Sequence, residues 1–325
     1  MSHSKTLKQA PTENWISGST LVAALQLPLF AVVAVLLPPR FWGPFTFGPA
    51  AFVAGIVALR GLLSPRRFAA KNKHYTWLMG HRPTARQAFQ VDMERRAVEA
   101  WTQLLTIRCL CPGASLPTID IEGEEHLKAA LAEGRGAVIW DSTFTQNSLT
   151  TKMGLFQAGY AMLHLSRPDH GLKSGFARKY LNPIKIAGEC KFLGERVVIQ
   201  DDQPGPAMRR LAAGLRENQV VSITVINLAR KVLAVRCLQG EIDLAMGPAA
   251  LAIREGAKLL PVFTLQTGIN SVRITIEPPL PLGDDLADEE ALQAAFQIYG
   301  DALGRHLRVE PGQWQGWLSV RKPMA

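Results

Sequence analysis

Gly136-Ala137-Val138-Ile139-Trp140-Asp141 is the stretch on which the fold turns. An unbroken apolar run behind a glycine, closed by a carboxylate, reads as a strand buried on both faces, the pattern of a parallel sheet. A polar turn follows it, then a helical stretch from about Asn147 to Gln157 with Gly159 beyond its end, so the unit is strand, loop, helix. The alternation recurs on both sides. Upstream, Phe89, Met93, Ala97, Trp101, Leu104 and Leu105 stand at helical spacing within Gln87–Ile107, Thr118–Ile121 is a short strand, and Glu124–Ala132 is a helix closed by Gly134. Downstream, strands are expected at Ala161–Ser166, Arg196–Ile199, Val220–Ile226, Leu259–Leu265 and Val272–Ile276. Helices are expected at Pro206–Glu217, Gly247–Arg254 and Asp288–Arg308. This succession predicts an α/β domain over residues 118–325, a mixed and mostly parallel sheet flanked by helices.

The N-terminal fifth has a different character. Asn14 to Pro39 carries no charge over 26 residues, and a bilayer core takes roughly 20 apolar residues as helix. A second uncharged stretch, Phe41 to Leu59, holds Pro44, Pro49 and three glycines and is long enough to span or to lie re-entrant. No acidic residue occurs between Glu13 and Asp92, whereas Arg60, Arg66, Arg67, Lys71, Lys73, Arg82 and Arg86 follow the apolar stretches and Lys5 and Lys8 precede them. The positive-inside rule then puts both flanks in the cytoplasm and Pro38-Pro39-Arg40 at the outer tip of a hairpin. The expected organisation is a retained membrane anchor over 1–60, with one or two apolar segments, and a basic juxtamembrane and helical connector over 61–117.

Composition supports this division. The 325 residues include 36 Lys and Arg against 27 Asp and Glu, a net charge of +9, and 47% are hydrophobic, which excludes a disordered chain. Much of the basic excess crowds the apolar segments, where it suits anionic headgroups, so membrane lipids and not nucleic acid are the expected partners. The cysteines, Cys109, Cys111, Cys190 and Cys237, are too few for a disulfide framework and lack the second pair that a zinc knuckle needs. No metal or bound cofactor is expected.

In a parallel sheet the chemistry sits at the carboxyl ends of the strands, here the loops Asp141–Gln146, Ser166–Leu172 and Ile226–Lys231. The second stretch offers His164, Arg167, Asp169 and His170 within seven residues, enough for a histidine base with a carboxylate to orient it if the side chains converge. Ser142, Ser148 and Ser174 are not set in Gly-x-Ser-x-Gly, and the chain has no Walker loop, no Gly-x-Gly-x-x-Gly after a strand and no His-Glu-x-x-His. Gly247-Pro248 opens a helix that reads either as an anion site or as a plain proline-initiated start.

Taken in order, several pieces resemble the lauroyl/myristoyl (lipid A late) acyltransferase family, within the lysophospholipid acyltransferase-like superfamily. They are Ala132–Ile139, Ser166-Arg167-Pro168-Asp169, Met208-Arg209-Arg210-Leu211, Leu238-Gln239-Gly240, Gly247–Ala252 with Gly256-Ala257, Pro261-Val262-Phe263, and Pro311-Gly312-Gln313-Trp314-Gln315-Gly316-Trp317. The likeness covers most of Glu124 to Trp317. It implies a glycerolipid acyltransferase-like domain on the cytoplasmic side of a bacterial inner membrane. It also implies transfer of a fatty acyl chain from an acyl carrier protein or coenzyme A thioester to a hydroxyl of a lipid or glycolipid. The family's base is a histidine, followed after four residues by Asp or Glu. Here Thr143 stands at the histidine position, Ser148 at the carboxylate position, and Asn227 where the family has a later Asp. Three expectations follow: an active enzyme with a relocated base, His164 or His170 with Asp141 or Asp169, and Arg167 binding an anionic group; a silent homologue that binds lipid or a partner enzyme; or a membrane scaffold.

Overall fold

The computed structural model describes residues 18–168, 174–200, 203–225 and 231–321. In chain order the elements are α1 (Gly18–Leu36), α2 (Gly43–Leu63), α3 (Pro65–Lys71), α4 (Lys73–Met79), α5 (Ala85–Arg108), β1 (Thr118–Glu122), α6 (Glu124–Ala132), β2 (Ala137–Asp141), α7 (Thr150–Gln157) and β3 (Leu163–Ser166). They continue with α8 (Asn182–Cys190), β4 (Glu195–Val198), α9 (Pro204–Arg216), β5 (Val220–Thr224), β6 (Val232–Cys237), β7 (Gly240–Ala245), α10 (Gly247–Glu255), β8 (Lys258–Gly268), β9 (Ser271–Ile276), α11 (Glu289–Val309) and β10 (Val320–Arg321).

Seven strands form the main sheet in the order β1-β9-β8-β2-β5-β3-β4. Only the β8–β9 hairpin pairs antiparallel within it, and β2, the strand read first, lies at its centre with every residue buried. The expected mixed, mostly parallel α/β sheet is therefore present. Alternation along β2 divides the core. Val138 and Trp140 pack with α9, α10 and α11 on one face, whereas Ala137 and Ile139 pack with Leu127 of α6 and Leu155 of α7 on the other.

α5 begins at a capping box, with Thr84 accepting from the Gln87 N–H and the Gln87 side chain accepting from the Thr84 N–H, so two of the orphan amide donors of a helix start are satisfied. It carries the N-terminal hairpin. Trp42 is fully buried against Trp101 of α5, ring centroids 5.9 Å apart, in a cluster that also takes Phe30, Val33, Met153 of α7 and Val272 of β9. Hairpin and α/β domain thus share one core.

Among the described residues the stretch long and apolar enough to cross a membrane is Pro39–Leu59, 28% of it buried, and α1 adds the apolar run Ala24–Leu36; residues 14–17 of the first expected segment lie outside the described residues. The supposed outer tip is not remote from the body. Arg108, at the end of α5, donates to the carbonyls of Ala34 and Val35 at 3.1 and 2.8 Å, meeting the unsatisfied C-terminal carbonyls of α1. Trp101 Nε1 donates to the Ile269 carbonyl in the β8–β9 turn, and the side chain of that same Ile269 lies 3.3 Å from where a Cβ on Gly43 would be. The hairpin tip is therefore held against the α/β domain, a docking that charge counting along the sequence does not report.

Candidate functional site

The parallel strands β2, β5, β3 and β4 end on one side of the sheet, and there the loop after β2 is a polar feature. Thr143 is half-buried in it. Its carbonyl accepts from the Gln315 N–H at 2.8 Å, Phe144 bridges to Trp314, and Thr145 Oγ1 donates to the Gln313 carbonyl at 2.9 Å. Gln313 is itself clamped to β8, its amide exchanging hydrogen bonds of 2.8 and 2.9 Å with the backbone of Gln266. The segment 313–319 therefore straps the loop from outside. Gly316 is required at the crossing, since a Cβ there would sit 2.4 Å from the Trp314 ring and 2.9 Å from Thr143 Oγ1.

Beneath the strap is a cavity of about 230 Å³ lined by Thr143, Val225, Ile242, Tyr299, Trp314 and Leu318 among others. That is below the roughly 300–1,000 Å³ usual for ligand pockets. Its ionisable groups are Asp243, ion-paired to Arg321 at 2.6 Å, and Tyr299, whose burial pushes its phenol upward and keeps it neutral. Among the described residues no imidazole lines it.

Those sequence-predicted groups that are described do not converge on Thr143. Asp141 closes β2 on the opposite sheet face, fully buried, where Thr151 Oγ1 donates to its Oδ1 at 3.4 Å and Thr264 adjoins Thr151 at 2.7 Å. Desolvation holds its carboxyl well above the ordinary carboxylate range, outweighing the attraction of Lys152 and the Thr151 hydrogen bond. A carboxyl kept protonated neither accepts a proton nor orients an imidazolium. Lys152 is ion-paired with Glu189 of α8 at 3.3 Å, both buried.

His164 shares that sheet face, buried on β3 with Nδ1 3.2 Å from Ser222 Oγ. The register runs His164, Ser222, Ile139, so β5 separates it from β2 by two strand spacings, about 10 Å, and it cannot hydrogen-bond Asp141. His164 and Asp141 thus share a sheet face with β5 between their strands. Arg167 is exposed, and its carbonyl accepts from Arg196 at 2.8 Å. Ser148 ends the short 3-10 turn Thr145–Ser148 ahead of α7. Gly247 starts α10 as an exposed, proline-initiated helix end. Asp169, His170 and Asn227 lie outside the described residues.

One imidazole near the loop escaped the sequence reading. His306 of α11 stacks on Phe263 with centroids 4.4 Å apart, meets Phe144 edge-on at 6.4 Å, and holds Nε2 3.6 Å from Glu277 Oε1. Glu277 is kept below its ordinary range first by the neighbouring His306 and then by Arg305. The only sequence signal was the helical spacing of Tyr299, Leu303 and His306, and nothing local ties it to Glu277. Neither residue lines the Thr143 cavity.

The larger cavity, about 660 Å³, lies elsewhere, between the N-terminal hairpin and α3–α5. Among the described residues no group of three His, Cys, Asp or Glu side chains is placed to hold a metal ion. No protein-family model and no curated protein matches the chain.

Proposed function

We propose that the chain is a membrane-docked, lipid-binding protein of acyltransferase-like architecture that does not itself transfer acyl groups. The observation that carries this reading is the Thr143 site. Acyl transfer to a hydroxyl needs a base within hydrogen-bond reach of the acceptor, and among the described residues the cavity at Thr143 offers a neutral phenol and an ion-paired carboxylate. It is also strapped by the C-terminal segment and small for a long acyl chain. Resemblance to the lauroyl/myristoyl acyltransferases supplies the architecture, and the substitution at Thr143 agrees with loss of their chemistry.

Membrane docking rests on the hairpin's outward side. Leu21, Leu25, Leu29, Val32 and Leu36 recur at three- and four-residue intervals on α1, and Phe52, Ile56, Leu59 and Leu63 do so on α2, all exposed. Their opposite sides pack on α5, so the hairpin presents an apolar face in the manner of an interfacial helix pair, lying in one leaflet. Exposed Arg40 and Arg66 near the hairpin ends suit anionic headgroups, at about 1 kcal/mol each.

The test is flotation of the full chain with phosphatidylcholine vesicles, with and without phosphatidylglycerol. Wild type should float, more completely with the anionic lipid, and Leu25→Glu/Leu29→Glu/Phe52→Glu should remain in the aqueous fraction while keeping its melting transition. Flotation of the triple variant as complete as wild type would overturn the docking face.

A further inference from the structure

We infer that the 660 Å³ cavity between the hairpin and α3–α5 is a binding site for a single-chain amphiphile with a neutral or zwitterionic head, a monoacyl lipid drawn from the bilayer surface. The inference rests on the membrane-docked reading and adds a site and a ligand class to it.

The walls divide by chemistry. α2 presents Ala54, Val57 and Ala58, one turn of small side chains, and α5 presents Ala88 and Val91 at the same spacing. Small residues on both helices leave the groove unfilled where larger ones would close it. Phe68 and Trp317 complete the apolar lining. The volume falls inside the range of ligand pockets, and each methylene buried there contributes about 0.8 kcal/mol.

Hydrogen-bonding groups come from α3–α4 and α5. Ser64, His74 and Tyr75 line the cavity with no side-chain hydrogen bond among the described residues, and burial first, then the charge of Lys73, lower the His74 proton affinity. Tyr75 is fixed by stacking on Trp317, centroids 6.0 Å apart. Among the described lining residues the one Lys or Arg is Arg95, matched by Asp92 at 3.0 Å and Glu99 at 3.1 Å. Among the described lining residues a net negative charge would find no Lys or Arg lacking a carboxylate partner, which selects a neutral or zwitterionic head over a carboxylate. Leu63 supplies the route, because it lines the cavity and is also the most exposed apolar side chain of the hairpin, at 79%. A chain entering beside it passes from the membrane-facing surface into the cavity.

The experiment is photocrosslinking of the full chain with two diazirine-tagged probes, palmitoyl-lysophosphatidylcholine and palmitic acid. Each is delivered from cyclodextrin without vesicles and, separately, in phosphatidylcholine vesicles, with peptide mapping by mass spectrometry. The lysolipid should label the peptides containing Ala54–Leu63 and Ala88–Asp92 in both settings, at least fivefold more than palmitic acid does. Ala58→Phe and Ala88→Leu, each filling the cavity from a different helix, should cut that labelling at least fivefold while flotation and melting temperature stay unchanged. Equal labelling by palmitic acid would overturn the head-group selection. Labelling confined to Leu25, Leu29 and Phe52, or unchanged in both filled variants, would overturn the site. Loss of flotation with labelling from cyclodextrin intact would instead overturn membrane docking and leave the site standing.

Discussion

Replacing Glu94 by glutamine should flatten the dependence of stability on pH. Glu94 projects from α5 toward the C-terminal segment, where Gly312 N–H donates to Oε2 at 3.0 Å and Glu310 and Gln313 pack beside it. A Cβ on Gly312 would sit 2.4 Å from that oxygen, so the segment and the carboxyl fit without slack. Burial first, then the hydrogen bond and repulsion from Glu310, raise the Glu94 carboxyl from 4.5 to about 9. The folded chain therefore keeps a proton that the unfolded chain releases above about 4.5. Stability present in acid is lost as pH rises toward 9, by at most about 1.4 kcal/mol per pH unit, or roughly 3 kcal/mol between pH 6 and 8. Glu94→Gln imitates the protonated form and can still accept from Gly312. Urea unfolding followed by tryptophan fluorescence from pH 5 to 8.5 should show the variant level with wild type near pH 5 and progressively more stable above it. Parallel curves for the two proteins would refute the reasoning, because they would mean that Glu94 is ionised in the fold.

Asp141→Asn tests whether the buried carboxyl is neutral. With Oδ1 accepting from Thr151 and the protonated form favoured, asparagine should change stability by less than about 1 kcal/mol at pH 7, read by the same unfolding assay. A loss of several kcal/mol would reveal an ionised group supported by Lys152. Trp42→Ala removes a fully buried indole from the cluster joining hairpin to α5. It should cost about 3–5 kcal/mol and expose residues 37–43 to limited proteolysis, and an unchanged digestion pattern would show that the hairpin is held otherwise.

Most of the sheet was legible because period and punctuation agree with burial. β2 is a continuous apolar run up to Asp141, β5 and β8 are rich in branched and apolar residues, and all three are central strands. The β6–β7 hairpin was missed for a physical reason. Its turn is Leu238-Gln239, with Leu238 at φ 55°, a left-handed conformation normally signalled by Asn or Gly. That turn is held from outside, Gln239 N–H donating to the Leu78 carbonyl of α4, so tertiary contact replaces the local signal. α8 and α4 were missed as well, being short helices stabilised by what they pack on. At the site, the loop after β2 was found from its place behind a buried strand. The grouping of side chains was not legible, because whether His164 meets Asp141 depends on which strand lies between them. The strap over Thr143 and the His306–Glu277 pair depend on contacts between segments far apart in the chain, and no spacing reports those.

Acyl transfer itself is the most direct test of the central claim. Vesicle-bound full-length protein would be incubated with radiolabelled palmitoyl-coenzyme A and with palmitoyl-acyl carrier protein, in vesicles containing total bacterial lipid extract. Alongside it would be His164→Ala, His170→Ala and His306→Ala. The account predicts no labelled lipid above the protein-free control for wild type, although the protein floats with the vesicles. Labelled product that depends on protein concentration and disappears in one histidine variant would contradict it and identify a working base.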